Sequence, residues 1–302
     1  GVLPITRPEI YFGSETTSYI FVKTREQEFD YPKGDQNAFS TYAGTGGVSV
    51  GNAWDRLMFA LRFGDMNILL TDALTGDSRI VFNRQIQTRI KRIAPFLMLD
   101  HDPYVVVDNG KLFWIQDAYT ITDLYPYSEP YNSGLNYIRN SVKIVIDAYN
   151  GATTFYAADP NEPLLKSYRG IFPALWKPIE QMPDSLRTHL RFPEDLFTVQ
   201  AAMYLTYHMQ DPLVFYNKED IWAIPNESND GTANAMQPYY VIMRLPGDTK
   251  EEFMLMQPFT PSKRQNMVAW LTAKSDGADY GKRLVYRFSK DKLVYGPEQI
   301  HA

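Results

Sequence analysis

Two neighbouring stretches of the chain, residues 105–115 and 142–158, carry apolar, β-branched and aromatic arms on either side of a turn dipeptide. The dipeptides are Asn109-Gly110 and Asn150-Gly151. Asn-Gly accepts the positive φ angles of a type I′ turn, whose twist matches that of the flanking strands. Each stretch is therefore predicted to form a β-hairpin, and together they would give a four-stranded antiparallel sheet within residues 100–159.

Helices are predicted on both sides of these hairpins. The first covers residues 53–63, and a second covers residues 83–94, where Pro95 ends it. A third covers residues 194–209 and begins after Pro193 with two acidic residues, which complement the positive end of a helix dipole. The apolar positions expected to face the core in the first helix are Trp54, Leu57, Met58 and Leu61.

The last third of the chain is predicted to be rich in strands. Residues 239–257 form a third hairpin around Pro-Gly-Asp-Thr-Lys, and residues 282–288 form a strand. Between them, residues 258–277 are expected to form a capped helix. Its inward positions are expected to be Met267, Trp270 and Leu271.

The predicted fold class is α+β, with antiparallel sheets built from β-hairpins and covered by amphipathic helices. Residues 159–183 contain five prolines, a density that favours a connecting arm. This arm suggests two domains. Residues 1–160 would form a hairpin-sheet domain with two helices, and residues 161–302 would form a helical arm with a ββαβ unit. The alternative, that both parts pack as one continuous domain, is left open by the sequence.

Composition narrows the possible functions. The 302-residue chain has a net charge of −5 and no basic block, so a nucleic-acid partner is not expected. It contains no cysteine, which excludes disulfides, thiolate metal sites and a cysteine nucleophile. Its 21 tyrosines suit the binding of peptides or sugars, although tyrosine also fills half-buried strands. The abrupt beginning and end of the sequence suggest a fragment of a longer chain.

The densest group of polar residues is Asp100-His101-Asp102. On a strand, the side chains of Asp100 and Asp102 would share one face, and oxygen ligands placed in this way can hold Mg²⁺ or Ca²⁺. Asp100 and Asp102 are therefore the candidate metal ligands. The alternative is a solvated loop that leads into a hairpin and is stopped by Pro103. No cofactor is predicted.

Two other patterns suggest chemistry. Residues 226–231 have the alternating oxygen side chains and the glycine of a calcium loop, but Gln237 stands where that loop needs a glutamate. Asp117 and Asp147 each precede Ala-Tyr, and a pair of carboxylates can serve acid–base catalysis on a glycoside. A simpler interpretation is that each acid ends or edges a strand and bonds a neighbouring backbone amide.

Several segments together resemble a known family. They are WDRLMFALRFGDMNILLT, VDNGKLFWIQDAYT, LNYIRNSVKIVIDAYNGATTFYA, LRFPEDLFTVQ, PFTPSKRQNMVAWLTAKSDGADYGK and LVYGPEQI. The resemblance is to an uncharacterised family of large multi-pass membrane proteins of actinobacteria, cyanobacteria and clostridia. In that family several transmembrane helices precede a large extracytoplasmic region. The hairpin at residues 142–158 also resembles small extracytoplasmic modules of the PepSY type.

The resemblance implies that this chain is the soluble, extracytoplasmic part of a cell-membrane protein, with its own upstream transmembrane helices as partners. The leading hypothesis is an interaction, sensory or assembly domain that binds a protein, a peptide or an envelope component. The alternative is a hydrolase or binding protein that acts on envelope polysaccharide or peptide. A domain that only steadies the membrane part is a third possibility.

The hypotheses predict different surfaces. The enzyme would rely on Asp100, Asp102, Asp117 and Asp147 as its acids. It should show a deep pocket in which two or more of them lie within about 10 Å of one another. A binding module should instead show a shallow aromatic groove, and a steadying domain should show neither. The sequence favours a role without catalysis.

Overall fold

The computed structural model describes residues 4–229, 232–289 and 291–301, and it confirms the α+β fold class. The strands before the proline-rich segment are β1 (Ile20–Val22), β2 (Glu28–Lys33), β3 (Gln36–Ser40), β4 (Val48–Ser49), β5 (Arg79–Val81), β6 (Met98–Leu99), β7 (Tyr104–Asp108), β8 (Lys111–Thr122), β9 (Tyr137–Asp147) and β10 (Thr153–Ala157). The later strands are β11 (Trp176–Pro178), β12 (Trp222–Ala223), β13 (Asn226–Asn229), β14 (Thr232–Ala235), β15 (Tyr239–Met243), β16 (Glu252–Pro261), β17 (Ala269–Lys274) and β18 (Arg283–Arg287). The helices are α1 (Ala53–Phe63), α2 (Asn67–Leu70), α3 (Ile86–Ile93), α4 (Pro163–Ile171), α5 (Asp184–Arg187), α6 (Glu194–Tyr207), α7 (Pro212–Asn217) and α8 (Pro297–His301).

The two predicted hairpins form the centre of the largest sheet, in the order β11-β10-β9-β8-β6, with β7 also paired to β8. Asn109 and Gly110 both have positive φ, as a type I′ turn requires. The turn of the second hairpin is longer. Only Gly151 has positive φ there, and four residues separate the hydrogen-bonded Asp147 and Ala152.

Both faces of this sheet are covered. On one face, Ile86 and Ile90 of α3 and Leu165 of α4 pack with Ile144 and Phe155 of the sheet. On the other face, the buried residues are Val106, Ile115, Val145, Tyr156, Met182 and Leu186. A strand that is buried on both faces needs an apolar side chain at every position, because neighbouring residues point to opposite faces. Residues 144–146, Ile-Val-Ile, follow this pattern.

The second sheet has the order β12-β16-β17-β18, with β15 also paired to β16. This confirms the third predicted hairpin. Phe197 and Ala201 of α6 pack on this sheet against Leu255 and Phe259, whereas Leu196 of α6 also packs with Tyr119 of the first sheet. Helix α6 therefore contacts both sheets across the predicted boundary at residue 160.

Three smaller pairings complete the strands, and Val22 of β1 and Val81 of β5 belong to the same core cluster as Ile144 of the main sheet. Strands β1, β5 and β4 form a three-stranded sheet, and β2–β3 and β13–β14 are separate hairpins. The proline-rich segment is more regular than predicted, since it contains α4. Pro163 stands at the start of α4, where a missing N–H costs nothing, and the Glu162 side chain caps the helix.

The helix predicted over residues 258–277 is wrong. Residues 269–274 form β17, which pairs with β16 on one side and β18 on the other. The apolar spacing that suggested a helix also fits a strand buried on both faces, and pairing with segments distant in sequence decided the outcome.

The first helix forms as predicted but turns a different face inward. Phe59 and Phe63 pack against the core with Tyr19 and Phe82, while Trp54 is 67% exposed. Apolar residues surround most of α1, so periodicity alone did not identify the buried face. The exposed apolar side chains of α1, of α2 and of the residue that precedes α2 are Trp54, Met58, Leu61, Met66 and Leu70.

The second hairpin turn supplies a stability test. A Cβ at Gly151, whose φ is +71°, would lie 2.5 Å from the Phe12 ring, whereas a Cβ at Gly34, with φ of +60°, meets nothing within 4 Å. Gly34→Ala should cost about 1–2 kcal/mol through its left-handed backbone alone. Gly151→Ala should cost about 1–3 kcal/mol more because the methyl group overpacks the core. Urea unfolding of the two variants measures the difference, and equal losses would contradict the contact with Phe12.

Candidate functional site

Helix α6 starts without a hydrogen-bonding side chain of its own at the N-cap, because that residue is Pro193. Asp100, which directly follows β6 and is 2% exposed, takes this role and accepts a hydrogen bond from the backbone N–H of Asp195 at 3.0 Å. The Tyr119 hydroxyl donates to Asp100 and accepts from the N–H of Leu196. Burial and the Asp100 charge raise the pKa of Tyr119, so its hydroxyl keeps the proton that it donates. We call Asp100, His101, Tyr119 and Asp195 the α6 junction.

His101 lies at the exposed side of this junction. Its Nδ1 is 2.6 Å from Oδ1 of Asp195, and its backbone N–H donates to the same carboxylate at 3.0 Å. Its Nε2 is 3.6 Å from a carboxylate oxygen of Glu194. Burial lowers the pKa of His101, but the hydrogen bond to Asp195 and the surrounding carboxylates outweigh this effect and raise the pKa. Protonated His101 therefore neutralises part of the negative charge at the start of α6.

Of the two candidate metal ligands, only Asp100 lies in a cluster with ligand geometry. Ligand atoms of Asp100, His101 and Asp195 all lie within 4.8 Å of one another. Asp102 instead pairs with Arg191 at 2.8 Å. Both oxygens of Asp100 already accept hydrogen bonds, including one from the N–H of Asp102, so a cation would compete with these donors. Metal binding at Asp100 stays a prediction, with His101 and Asp195 as the companions that the fold supplies.

Arg191 connects the two sheets beside the junction. Its guanidinium lies 3.8 Å from the ring centre of Tyr104 and 4.7 Å from that of Tyr240. Tyr104 belongs to the first sheet and Tyr240 to the second, and the pair with Asp102 fixes the guanidinium between them. Such stacked cations stabilise packing through the negative ring faces.

The interpretation of Asp117 as a strand end is wrong. Asp117 lies in the middle of β8, is buried, and forms an ion pair with the equally buried Lys143 of β9. Lys143 also donates to the hydroxyl of Tyr280 at 2.8 Å. Burial lowers the pKa of Lys143, but the charge of Asp117 outweighs it and raises the pKa, so the lysine stays charged. Sequence reasoning missed Lys143, although a single charge inside the run 142–146 was a usable signal.

The same interpretation is correct for Asp147. Its carboxylate accepts hydrogen bonds from the N–H groups of Tyr149 and Asn150 at 2.8 and 2.9 Å, which fixes the turn. Asp147 pairs in register with Phe113, four residues along β8 from Asp117. This separation places Asp147 about 13 Å along the sheet from Asp117.

The loop resembling a calcium site contains a hairpin. Asn226–Asn229 pairs with Thr232–Ala235, while Asp230 and Gly231 of that pattern lie outside the described residues. A cavity of about 230 Å³ lies next to it, with Lys263, Arg264 and Glu298 among its lining residues. None of the four candidate acids lines this cavity.

A larger cavity, of about 340 Å³, lies between α6 and the connection from β8 to β9. It is open and rich in tyrosine, and we call it the aromatic groove. Its lining residues are Tyr125, Ser128, Glu129, Tyr131, Leu135, Asn136, Tyr137, Ile138, Arg139, Leu196, Val199, Gln200, Met203 and Tyr207. The rings of Tyr125 and Tyr137 stack with centres 5.0 Å apart, and Arg139 lies over Tyr137. Sequence reasoning did not identify this groove, although the high tyrosine content suggested a surface of this kind.

Hydrogen bonds hold the loop that forms one wall of the groove. The Asn136 side chain bonds both the N–H and the C=O of Tyr125, at 3.0 and 2.8 Å. Ser128 donates to the carbonyl of Asn136 at 2.7 Å. Between these bonds, Tyr127 has a φ of 60° and a fully exposed side chain. A left-handed backbone costs about 1 kcal/mol or more at a residue with a large side chain. The hydrogen bonds of this loop offset that cost and keep Tyr127 in its exposed position.

The buried ion pair generates a test. Lys143→Met should destabilise the chain by about 3–5 kcal/mol, because it leaves the Asp117 charge buried without its partner. The double variant Asp117→Leu/Lys143→Met should recover most of that loss, since similar apolar volume can replace a buried pair. Urea unfolding of the single and double variants measures both effects. A double variant no more stable than Lys143→Met would contradict this account.

The raised pKa of His101 predicts a pH dependence. Its contribution to stability should be complete below about pH 6.5, the ordinary histidine pKa, and lost as the pH rises through the higher pKa of the folded state. His101→Gln should remove this component, and NMR titration of the imidazole measures the pKa directly. The same titration with Mg²⁺ or Ca²⁺ tests the metal prediction. A cation held by the carboxylates of Asp100 and Asp195 disfavours the protonated imidazole beside it and lowers the apparent pKa of His101, whereas an unchanged pKa would contradict metal binding.

Comparison with known proteins places these features in a family. A family model described as an uncharacterised protein family, UPF0182, matches residues 1–302. UPF0182 proteins of Pelotomaculum thermopropionicum and Bradyrhizobium diazoefficiens are 53% and 52% identical over 300 and 299 residues. A UPF0182 protein of Microcystis aeruginosa is 50% identical over 305 residues. No solved structure matches the chain.

The alignments cover 99% of this chain but only 33%, 32% and 32% of those three relatives. The chain thus spans about a third of the length of the curated relatives that it matches. Among the residues that the structure describes, no helix has both the length and the apolar character needed to cross a bilayer. Since the family model and the relatives match essentially the whole sequence, the chain belongs to the UPF0182 family.

Proposed function

We propose that this chain is an extracytoplasmic interaction region of a longer bacterial membrane protein, and that it binds an envelope component or a partner through the aromatic groove. The groove is the observation that carries the proposal. It is open to solvent and lined by four tyrosines, a surface that suits a binding module. Tyrosine provides a large and rigid contact area with a polar tip, and it is enriched where proteins bind their partners.

The arrangement of the acids supports binding over hydrolysis. Asp117 is neutralised by Lys143, Asp102 pairs with Arg191, and Asp147 fixes a turn. Asp100 remains, but it is buried and occupied in capping α6. A hydrolase of envelope polysaccharide or peptide would need two carboxylates at a substrate cleft, and none of these four lines either cavity described above.

The proposal that the whole protein lies in a membrane rests on the length of the relatives. The relatives are about three times as long as this chain, which leaves room in such proteins for membrane-spanning helices and further domains. The region's own transmembrane helices would be its first partners. The cell membrane, with this region on its outer side, is the proposed location.

A cysteine-based experiment tests location and binding together. Residues 1–302 contain no cysteine, so an added cysteine is the single thiol of this region. Leu124→Cys is introduced into the full-length protein in its native cells. Leu124 is 82% exposed on the loop that forms the groove wall, but it does not line the groove. A membrane-impermeant maleimide carrying a photo-crosslinker should label it in intact cells and capture one reproducible partner or envelope polymer.

Phe39→Cys is the matched control. Phe39 is 53% exposed on the β2–β3 hairpin. Two residues after this hairpin, Tyr42 forms a hydrogen bond with Asn150 at one end of the main sheet. That end lies about 34 Å along β9 from the groove. The control should be labelled equally but should not capture the same species, and protein without an added cysteine gives the background.

Labelling of Leu124→Cys only after the cells are permeabilised would refute the extracytoplasmic location. Equal capture from both positions would refute recognition at the groove.

A further inference from the structure

We infer that the outer edge of β18 binds an extended acidic peptide segment, which adds to the second sheet as a further strand. This surface is separate from the aromatic groove, so the inference goes beyond the proposed function. β18 is the last strand in the order β12-β16-β17-β18 and pairs only with β17. Its far edge is open in the part of the chain that the structure describes, and an open edge is a template for pairing with another chain.

The hydrogen bonds of β18 show which of its backbone groups face outward. The Lys274 N–H donates to the Lys282 carbonyl at 2.9 Å, and the Phe288 N–H donates to the Val268 carbonyl at 2.9 Å. Bonds to one neighbouring strand fall on alternate residues, so residues 284 and 286 also face β17. The N–H and C=O groups of residues 283, 285 and 287 therefore face outward. None of them has a hydrogen-bond partner among the described residues.

The sequence of β18 leaves this edge able to pair. Short length and proline are common protections of a sheet edge. β11, at the edge of the main sheet, has both, since it covers three residues and ends at Pro178. β18 covers five residues without a proline. Val285 packs on the core of the second sheet, which holds the strand in place for a partner.

Charge decides which strand can pair with this edge. Lys282 and Arg283 are exposed and, as neighbours on a strand, point to opposite faces of the sheet. Residues 282–292 contain five spaced basic residues and one acid, in a chain whose net charge is −5. Lys282 lies 3.8 Å from Asp279 in an exposed pair, which contributes little, and Arg283 has no ion pair among the described residues. Acids opposite these two cations would form favourable cross-strand pairs.

A second copy of the chain is the main competing occupant. Antiparallel pairing of two β18 edges about Val285 would place Arg283 of each copy opposite Arg287 of the other. Like charges directly opposite each other destabilise a strand pair. The cations that select an acidic strand therefore disfavour pairing of β18 with its own copy.

The test titrates two capped heptapeptides into the 302-residue chain while amide hydrogen exchange in β18 is followed by NMR. The acidic peptide is Thr-Glu-Val-Val-Thr-Glu-Glu, and the lysine peptide has lysine at each glutamate. Antiparallel to residues 282–288, the acidic peptide places its last two glutamates opposite Lys282 and Arg283. It should slow the exchange of the N–H groups of residues 283, 285 and 287, and exchange at residues 284 and 286 should change little. The lysine peptide should bind about tenfold more weakly or worse.

N-methylation of the acidic peptide tests the backbone pairing. The fourth peptide residue lies opposite Val285 and donates its N–H to the edge, so a methyl group there should weaken binding about tenfold. The N–H of the fifth peptide residue points away from β18, so the same methyl group there should leave the affinity almost unchanged. Equal losses at the two positions would overturn strand addition.

Charge reversal on the chain tests the selection. Lys282→Glu/Arg283→Glu should bind the lysine peptide more tightly than the acidic one. Lys91→Glu/Arg92→Glu, at exposed positions on α3, makes the same change in net charge and should keep the original preference. Thermal unfolding shows whether each variant is folded. The N-methylated peptides need no variant, so they keep the test valid where substitution destabilises the chain.

The remaining outcomes also bear on the inference. Binding of neither peptide, equal affinity for both, or binding without slowed exchange at residues 283, 285 and 287 would overturn it. Slow exchange at these residues in dimers of the free chain, detected by analytical ultracentrifugation, would assign the edge to a second copy instead. None of these results touches the proposed function, because no residue of β18 lines the aromatic groove.

Discussion

The cap that Asp100 provides to α6 is the interaction on which the rest of the structure depends. A helix that begins at proline without a capping side chain needs an acceptor from elsewhere, and here the first sheet provides it. Once α6 is fixed at this end, Phe197 and Ala201 position the second sheet, while Val199 and Met203 form a wall of the aromatic groove. Asp100, the predicted metal ligand, is thus also the residue that orders the surface proposed to bind.

The parts of the fold that could be predicted are those decided by residues close in sequence. The Asn-Gly turns selected their hairpins, and Pro193 with the acids after it marked the start of α6. Strand β17 could not be predicted in this way, because its neighbours in the sheet decide its conformation.

The same limit applies to the site. The triplet at residues 100–102 stood out as polar, but the partners of Asp100 lie 19 and 95 residues away, at Tyr119 and Asp195. The aromatic groove combines side chains from positions between 125 and 207, and no local pattern brings such positions together. Composition indicated a tyrosine-rich surface, and only the packing of α6 against the β8–β9 connection located it.

Two ion pairs lie where the two sheets meet, and only Asp117–Lys143 is fully buried. Asp117–Lys143 and Asp102–Arg191 are completed by tyrosines of the second half, Tyr280 and Tyr240 respectively. A buried pair adds little net stability, because desolvation of the charges offsets their attraction. The directional bonds of both pairs, however, tolerate few alternative arrangements, so they favour one orientation of the sheets over a range of apolar packings.

The outward position of Tyr127 has a consequence for the energetics of recognition. The Asn136 side chain and Ser128 already hold its loop in one conformation, and the left-handed backbone is maintained by folding. Little conformational entropy therefore remains to be lost when a partner arrives. In a preorganised loop of this kind, the conformational entropy is lost when the protein folds, and binding does not have to supply it again. Weak contacts along a flexible polymer can then give measurable affinity without any change of shape in the loop.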